Sequence, residues 1–168
     1  IESFDKEIYS YTDYDECDKQ IRRLFNYYIS YNWRDSVLSE LMQTSEDERD
    51  IADKYYLSSA QIMSIIDSGS IIGSHTKSHK VLSRLDETGQ SDEIGESIRF
   101  INSLGQDAPH CFAYPYGYKS SYNELTLKVL EQEGVHNAVI FDNQELSIPY
   151  KRYEISREDC NKFMVPII

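Results

Sequence analysis

Ser70-Ile71-Ile72-Gly73-Ser74-His75-Thr76-Lys77-Ser78-His79 is the stretch on which the reading of the fold turns. An apolar pair closed by Gly-Ser has the form of a buried strand reaching its end, where the backbone turns and side chains face a cleft. Two of the four histidines of the chain follow at once, four residues apart. A turn of helix after the strand would bring His75 and His79 to one side, since i and i+4 side chains are neighbours there. Neutral imidazole is a common ligand for zinc and similar ions, so the pair reads as half of a metal site; two surface histidines in a polar loop are the plain alternative. A metalloprotease of the His-Glu-x-x-His kind is excluded, because Thr76 stands where its general base belongs.

Downstream of this stretch the pattern alternates. Residues 91–104 form an expected helix with Ile94, Ile98, Ile101 and Leu104 inward, ended by Gly105. Residues 110–114 read as a strand that runs into Pro115. Ser121-Tyr122-Asn123-Glu124 has capping-box form and opens a helix through Leu125, Val129 and Leu130, which Gly134 ends. Residues 137–141 and 153–155 read as further strands. Strand and helix in alternation mean parallel β-structure with crossover helices, so the fold class is α/β.

Upstream the pattern is helical. Ser58 or Ser59 can cap a helix carrying Ile62, Met63, Ile65 and Ile66, stopped by Asp67-Ser68-Gly69. The charged run 45–54 reads as a short solvated helix or loop. Val37, Leu38, Leu41 and Met42 mark one helix face, and Ile21, Leu24, Phe25, Tyr28 and Ile29 another, spaced i, i+3, i+4, i+7, i+8. Residues 1–17 show no clear period. The expected organisation is a helical N-terminal segment or insertion over 1–54 and an α/β portion over 55–168.

The chain has 168 residues, the size of one domain by length alone. With 29 acidic against 17 basic residues its net charge is −12, which repels phosphate backbones and argues against a nucleic-acid partner. The 14 tyrosines fit half-buried packing positions as readily as a cleft for sugars or other polar ligands. Cys17, Cys111 and Cys160 are odd in number and widely spaced, so they form neither a disulfide framework nor a metal knuckle. A cytoplasmic, reducing setting is expected over a secreted one. No stretch reaches about eighteen apolar residues, so no membrane span is expected.

In parallel α/β folds the working residues gather at the carboxyl ends of strands. A second such place is Tyr114-Pro115-Tyr116-Gly117. Pro115 cannot continue a ladder and Gly117 frees the backbone to turn. The turn can aim the Tyr116 N–H into a cleft as an oxyanion donor, with an ordinary proline–glycine turn as the alternative. His110 and His136, within or beside strands, read as packing histidines.

Taken together these pieces resemble the polysaccharide deacetylase family of carbohydrate esterases. Tyr56-Leu57-Ser58-Ser59 leads a helix, and Gly69 with Ile71 to His79 is similar to the family's Gly-x-x-Ile-Gly-Ser-His-Thr-x-x-His, with Val81-Leu82-Ser83-Arg84-Leu85 in register behind it. Phe112-Ala113-Tyr114-Pro115-Tyr116-Gly117, with the tail Tyr118 to Asn123, is similar to the family's third motif. Ile148-Pro149-Tyr150-Lys151-Arg152-Tyr153-Glu154-Ile155 resembles a Leu-Pro-Arg-Ile segment near the fourth. The resemblance runs from about residue 55 to residue 159. It implies a distorted, here partial, (β/α) barrel and metal-dependent hydrolysis of an N-acetyl group on an amino sugar or polysaccharide. It further implies His75 and His79 as ligands of a divalent metal, zinc foremost, and the Tyr116 backbone N–H on the oxyanion. Tyr114, Pro115 and Tyr116 would meet the carbohydrate substrate, and Arg152 would orient a catalytic carboxylate.

The sequence also departs from the family pattern. Nothing matches well the first motif, Thr-Phe-Asp-Asp, the family's source of the base and the third metal ligand. Ser3-Phe4-Asp5-Lys6 echoes it, but Lys6 stands where the ligand belongs, and a cation there repels a metal ion. A late Leu-x-Ile-His motif has no match after Ile155. With Ile1 rather than methionine at its start, the chain is expected to lack the first one or two strands and the base. The leading expectation is a carbon–nitrogen hydrolase that is active in a longer or reconstituted chain. Its unpaired barrel edges would invite oligomerisation. Against it stand a catalytically inactive sugar-binding or assembly module of the same fold and an unrelated α/β domain.

Overall fold

The computed structural model describes residues 8–10, 12–43, 47–141 and 151–157. The chain divides into two compact units, Ile1–Ser58 and Ser59–Ile168.

The first unit is helical. Helix α1 (Glu16–Arg23) is capped by Asp15, whose carboxylate accepts from the Asp18 N–H at 2.8 Å. Acids in its first turn and Arg22 and Arg23 in its last suit the helix dipole. The stripe from Ile21 to Ile29 does not continue as one α-helix. The backbone widens into a π turn over Leu24–Tyr28, closed by the Ile29 N–H on the Leu24 carbonyl at 3.1 Å. Arg23 is the buried residue at this break, donating from Nε to the Ile8 carbonyl and pairing with Glu16 at 2.9 Å. Helix α2 (Tyr31–Gln43) leaves Leu38 and Leu41 exposed, so its apolar stripe is not a core face within the described residues. The charged run supplies helix α3 (Glu48–Tyr55), capped by Asp47 on the Arg49 N–H.

The second unit is mixed helix and sheet. Helix α4 (Ser59–Asp67) stops at Gly69, which takes φ +90°. Then come helix α5 (Glu87–Ser103), strand β1 (Cys111–Ala113), helix α6 (Glu124–Gln132), strand β2 (Asn137–Ile140) and strand β3 (Ile155–Ser156). The three strands are parallel in the order β1-β2-β3, with Phe112 opposite Ala138 and Val139 opposite Ile155.

Four local outcomes differ from expectation. The strand over residues 70–74 shrinks to one parallel bridge, Ser74 to Phe112. Its backbone groups are taken instead by the Gln106 side chain, which accepts from the Ile72 N–H at 2.6 Å and donates to the Ile72 carbonyl at 3.0 Å. Helix α5 starts at Glu87 because Asp86 caps it through the Gly89 N–H. The cap of α6 is Asn123 rather than Ser121, in a reciprocal box with Thr126. The last strand lies at Ile155–Ser156 rather than over 153–155.

The core lies between the sheet and helices α5 and α6, which pack on one another. Leu82, Ile94, Ile98, Phe112, Val129, Leu130 and Ala138 are almost fully buried there, each large aliphatic side chain removing apolar area worth about 1.5–3 kcal/mol. Among the described residues no helix is long and apolar enough to cross a membrane.

Candidate functional site

Both stretches singled out in the sequence reach the carboxyl end of the sheet, side by side. Ser74 is stapled to β1 by two backbone bonds, its N–H on the Cys111 carbonyl and the Ala113 N–H on its own carbonyl, both 2.8 Å. The approach is close enough that a Cβ on Gly73 would stand 3.1 Å from the Cys111 carbonyl oxygen, so this position wants no side chain. His75 is thereby delivered just past the end of the ladder. Its Nδ1 lies 2.7 Å from the carbonyl oxygen of Ala113, the last residue of β1. A carbonyl can only accept, so Nδ1 donates, and in the neutral ring the lone pair is on Nε2. This is the orientation by which proteins ready an imidazole to ligate.

His79 reaches the same place by a route other than the helical turn expected. Residues 75–80 form an irregular loop in which Thr76 and His79 both take left-handed backbone, φ +66° and +55°. Such conformations are uncommon for β-branched and bulky residues and persist where surrounding contacts impose them. The Thr76 hydroxyl accepts from the His79 N–H at 3.1 Å, bracing the turn. The result sets the two imidazoles edge to face, centroids 4.9 Å apart, with both residues exposed to solvent.

Tyr116 completes the row. Its ring stands 4.8 Å from that of His79, and its hydroxyl approaches the His79 carbonyl at 3.4 Å. Tyr116 is also left-handed, φ +66°, inside a three-residue turn closed by the Gly117 N–H on the Pro115 carbonyl at 2.8 Å. Gly117 is dictated by packing as well as by its φ of +76°: a Cβ there would lie 2.6 Å from the Phe141 backbone nitrogen, whose N–H donates to the Gly117 carbonyl.

Helix α5 buttresses the loop. The Ser74 and Ser97 hydroxyls meet at 2.5 Å, and the Lys77 N–H donates to the Glu93 carbonyl. The Glu93 carboxylate accepts from the Ser78 N–H at 2.8 Å and from the Ser78 hydroxyl. Outside, Lys77 and Glu96 pair at 2.5 Å; the hydrogen bond and opposite charge raise the ammonium above, and hold the carboxyl below, their ordinary ranges. Both are exposed, so the pair adds little to stability. Sequence reasoning missed Glu93, although Gln90 and Glu93 fall on the same buried stripe as Ile94, Ile98 and Ile101.

Three expected site residues lie elsewhere. Tyr114 is fully buried, stacked on Tyr122 at 4.4 Å, with its hydroxyl donating to the Tyr153 carbonyl at 2.9 Å. Burial, then the neighbouring Tyr122 and Glu154, push that hydroxyl far above the ordinary phenol range. Pro115 is likewise buried, so neither side chain offers a surface to a substrate. Arg152 sits at the amino end of β2, not the carboxyl end. Its guanidinium donates to the Val135 and His136 carbonyls at 2.6 and 2.5 Å and stacks on Tyr153. A group held there is across the sheet from the histidines and does not orient a carboxylate beside them. His136 is exposed, and His110 has a buried Nδ1 with no hydrogen-bond partner among the described residues. Cys160, Asp5 and residues 148–150 lie outside the described residues.

Residues 37–138, more than half of the chain, match the family model described as polysaccharide deacetylase. The chain belongs to the polysaccharide deacetylase family. The matched residues begin within α2 and end within β2, and so contain both histidines and the Tyr116 turn but not Arg152. YxkH of Bacillus subtilis (strain 168), named for the polysaccharide deacetylases, is 28% identical over 109 residues, 65% of this chain and 38% of that protein. The chain thus spans well under half of that relative. The Streptococcus pyogenes deacetylase PplD, solved with acetate, superposes with a TM-score of 0.55 at 22% identity, over 61% of this chain and 44% of PplD. That likeness carries the family fold. A family 4 carbohydrate esterase from Streptomyces lividans, also with acetate, gives a TM-score of 0.44 at 24% identity over 50% of this chain and 42% of its own.

Were a divalent metal held at this end of the sheet, the nearest donors would be the two imidazoles. Among the described residues no group of three His, Cys, Asp or Glu side chains is placed to share one ion. The pair fits part of a ligand set, and a full set needs at least one donor more.

Proposed function

We propose that this chain carries the histidine half of a centre for metal-dependent hydrolysis of the N-acetyl group of an amino sugar or polysaccharide, completed within a longer or reconstituted (β/α) barrel. The observation that supports it most is the His75 ring. It is oriented by the Ala113 carbonyl, keeps Nε2 available and faces His79 across 4.9 Å at the carboxyl end of a parallel sheet. A divalent metal, zinc foremost, would polarise the amide carbonyl and acidify a bound water.

The roles of the chain's own residues follow from their placement. His75 and His79 would hold the ion as neutral imidazoles. The Tyr116 backbone N–H, set by a left-handed turn beside them, would donate to the developing oxyanion, where one such donor is worth about 10²–10³ in rate. The Tyr116 ring against His79 offers a flat apolar wall on which a sugar face can rest.

Elemental analysis of the purified chain, wild type beside H75A and H79A, tests this. Metal in the wild type above the level in the variants, and lost in both of them, is the expected result. Metal retained in both variants would refute the assignment. Wild type without metal, but binding sugar, would favour an inactive sugar-binding or assembly module of the same fold.

A further inference from the structure

Helix α5 is the longest described helix, and its buried stripe carries an acid in the middle. Glu93 is 5% exposed, between Gln90 and Ile94, where a lone carboxylate would be costly. Every partner the carboxylate has in the described contacts comes from the loop between and just beyond the two histidines. Oε2 accepts from the Ser78 N–H at 2.8 Å, Oε1 from the Ser78 hydroxyl, and Lys80 Nζ stands 3.7 Å from Oε1. The backbone carbonyl of the same residue accepts from the Lys77 N–H at 3.0 Å. One residue thus fixes the N–H groups of both residues, Lys77 and Ser78, that lie between the left-handed Thr76 and the left-handed His79.

We propose that Glu93 is the positioning residue of the histidine pair: its two oxygens hold Ser78 so that the loop stays left-handed and the His79 ring faces His75. The loop has no regular secondary structure of its own to impose that geometry. A charge-assisted pair of bonds from a rigid helix supplies it. With Glu93 shortened, the Ser78 N–H loses its part-buried acceptor and the 76–79 turn is released to commoner backbone conformations. The role in metal binding rests on the proposed function; the role in ring placement does not.

The two are separated by NMR on the whole chain, comparing wild type, E93A, E93Q and S78A, followed by titration with Zn2+. In the wild type, ring protons of His75 and His79 give a mutual NOE. That NOE is lost in E93A and kept in E93Q, while contacts of Ile94 and Ile98 with Phe112 persist in all. The residue-78 amide exchanges roughly 10-fold faster in S78A, where one of the two bonds to Glu93 is gone. If wild type takes up Zn2+, E93A binds it about 10–100-fold more weakly and E93Q recovers most of the loss. A retained ring–ring NOE in folded E93A, with amide exchange at residue 78 unchanged, overturns the proposal. Should E93A not fold, a NOE and exchange rate in both E93Q and S78A that match wild type within error overturn it equally. A wild type that binds no Zn2+ bears on the metal reading alone, and the NOE still decides the role of Glu93.

Discussion

The histidine loop and the tyrosine cluster meet at the end of β1, where Tyr116 and Tyr114 are two residues apart, and are built from similar materials, aromatic rings and polar atoms. Tyr116 stands against the first and Tyr114 anchors the second. In the cluster every polar atom discussed has a partner: Tyr114 donates to Tyr153, and Tyr122 donates to Glu154, which also pairs with Lys151. In the loop Thr76 and His79 keep left-handed backbone, as does Tyr116 beside them, the two imidazoles stand at the surface, and Nδ1 of His75 is held by the Ala113 carbonyl. Satisfied and buried groups hold a fold together. Exposed, strained and oriented groups are what binding and catalysis require. The same short strand, β1, serves both, sending Phe112 into the core and the Ala113 carbonyl to His75.

This contrast can be broken by substitutions whose effects should fall on one region and spare the other. The largest stability loss is expected for Tyr114→Ala. Removing a fully buried ring should cost about 3–5 kcal/mol in denaturant unfolding, whereas a loss under about 1 kcal/mol would mean the cluster is not the anchor described. Gly117→Ala sits on the seam between the regions. Its positive φ and the 2.6 Å approach to Phe141 should cost roughly 1–3 kcal/mol, read as a lowered unfolding midpoint. His79→Ala should leave stability within about 0.5 kcal/mol of wild type while abolishing Zn2+ uptake; an unfolding midpoint as low as that of Tyr114→Ala would erase the distinction.

The smallest effect is expected from pH. The hydrogen bonds from Lys151 and then Tyr122 hold the Glu154 carboxyl below its ordinary range. Its contribution is therefore present above the unfolded-state value, near 4.3, and is lost as pH falls through the lower folded-state value. Glu154→Gln should flatten that part of the acid limb of a stability–pH profile and leave the neutral region nearly unchanged. An acid limb identical to wild type would show that these bonds do not carry the dependence.

How much of this was legible in the sequence follows from the range of the forces involved. Periodicity located α4, α5, α6, β1 and β2, because burial of Ile94, Ile98, Val129 and Leu130 writes a local pattern. The histidine pair and the Pro115–Gly117 turn were legible as residue types at a strand end. What could not be read is what depends on distant partners. Gln106 stands in for a neighbouring strand at Ile72, thirty-four residues away, so the strand there collapses to one bridge. Tyr114 and Tyr116 look alike in sequence, and only the stack on Tyr122 and the turn at Pro115 send one inward and the other to the surface. Arg152 looked like a site cation, and its carbonyl partners at Val135 and His136 place it at the opposite sheet end. The π turn at Leu24–Tyr28 interrupts a stripe whose spacing gave no sign of a break.

The most direct test is the nitrogen-15 spectrum of the imidazoles, recorded above their titration range with and without Zn2+. The expected result is a His75 ring protonated at Nδ1 and bare at Nε2, with Zn2+ shifting ring nitrogens of His75 and His79 together. A His75 ring protonated at Nε2, or shifts confined to His110 and His136, would contradict the assignment of the histidine loop as the metal-binding half of the site.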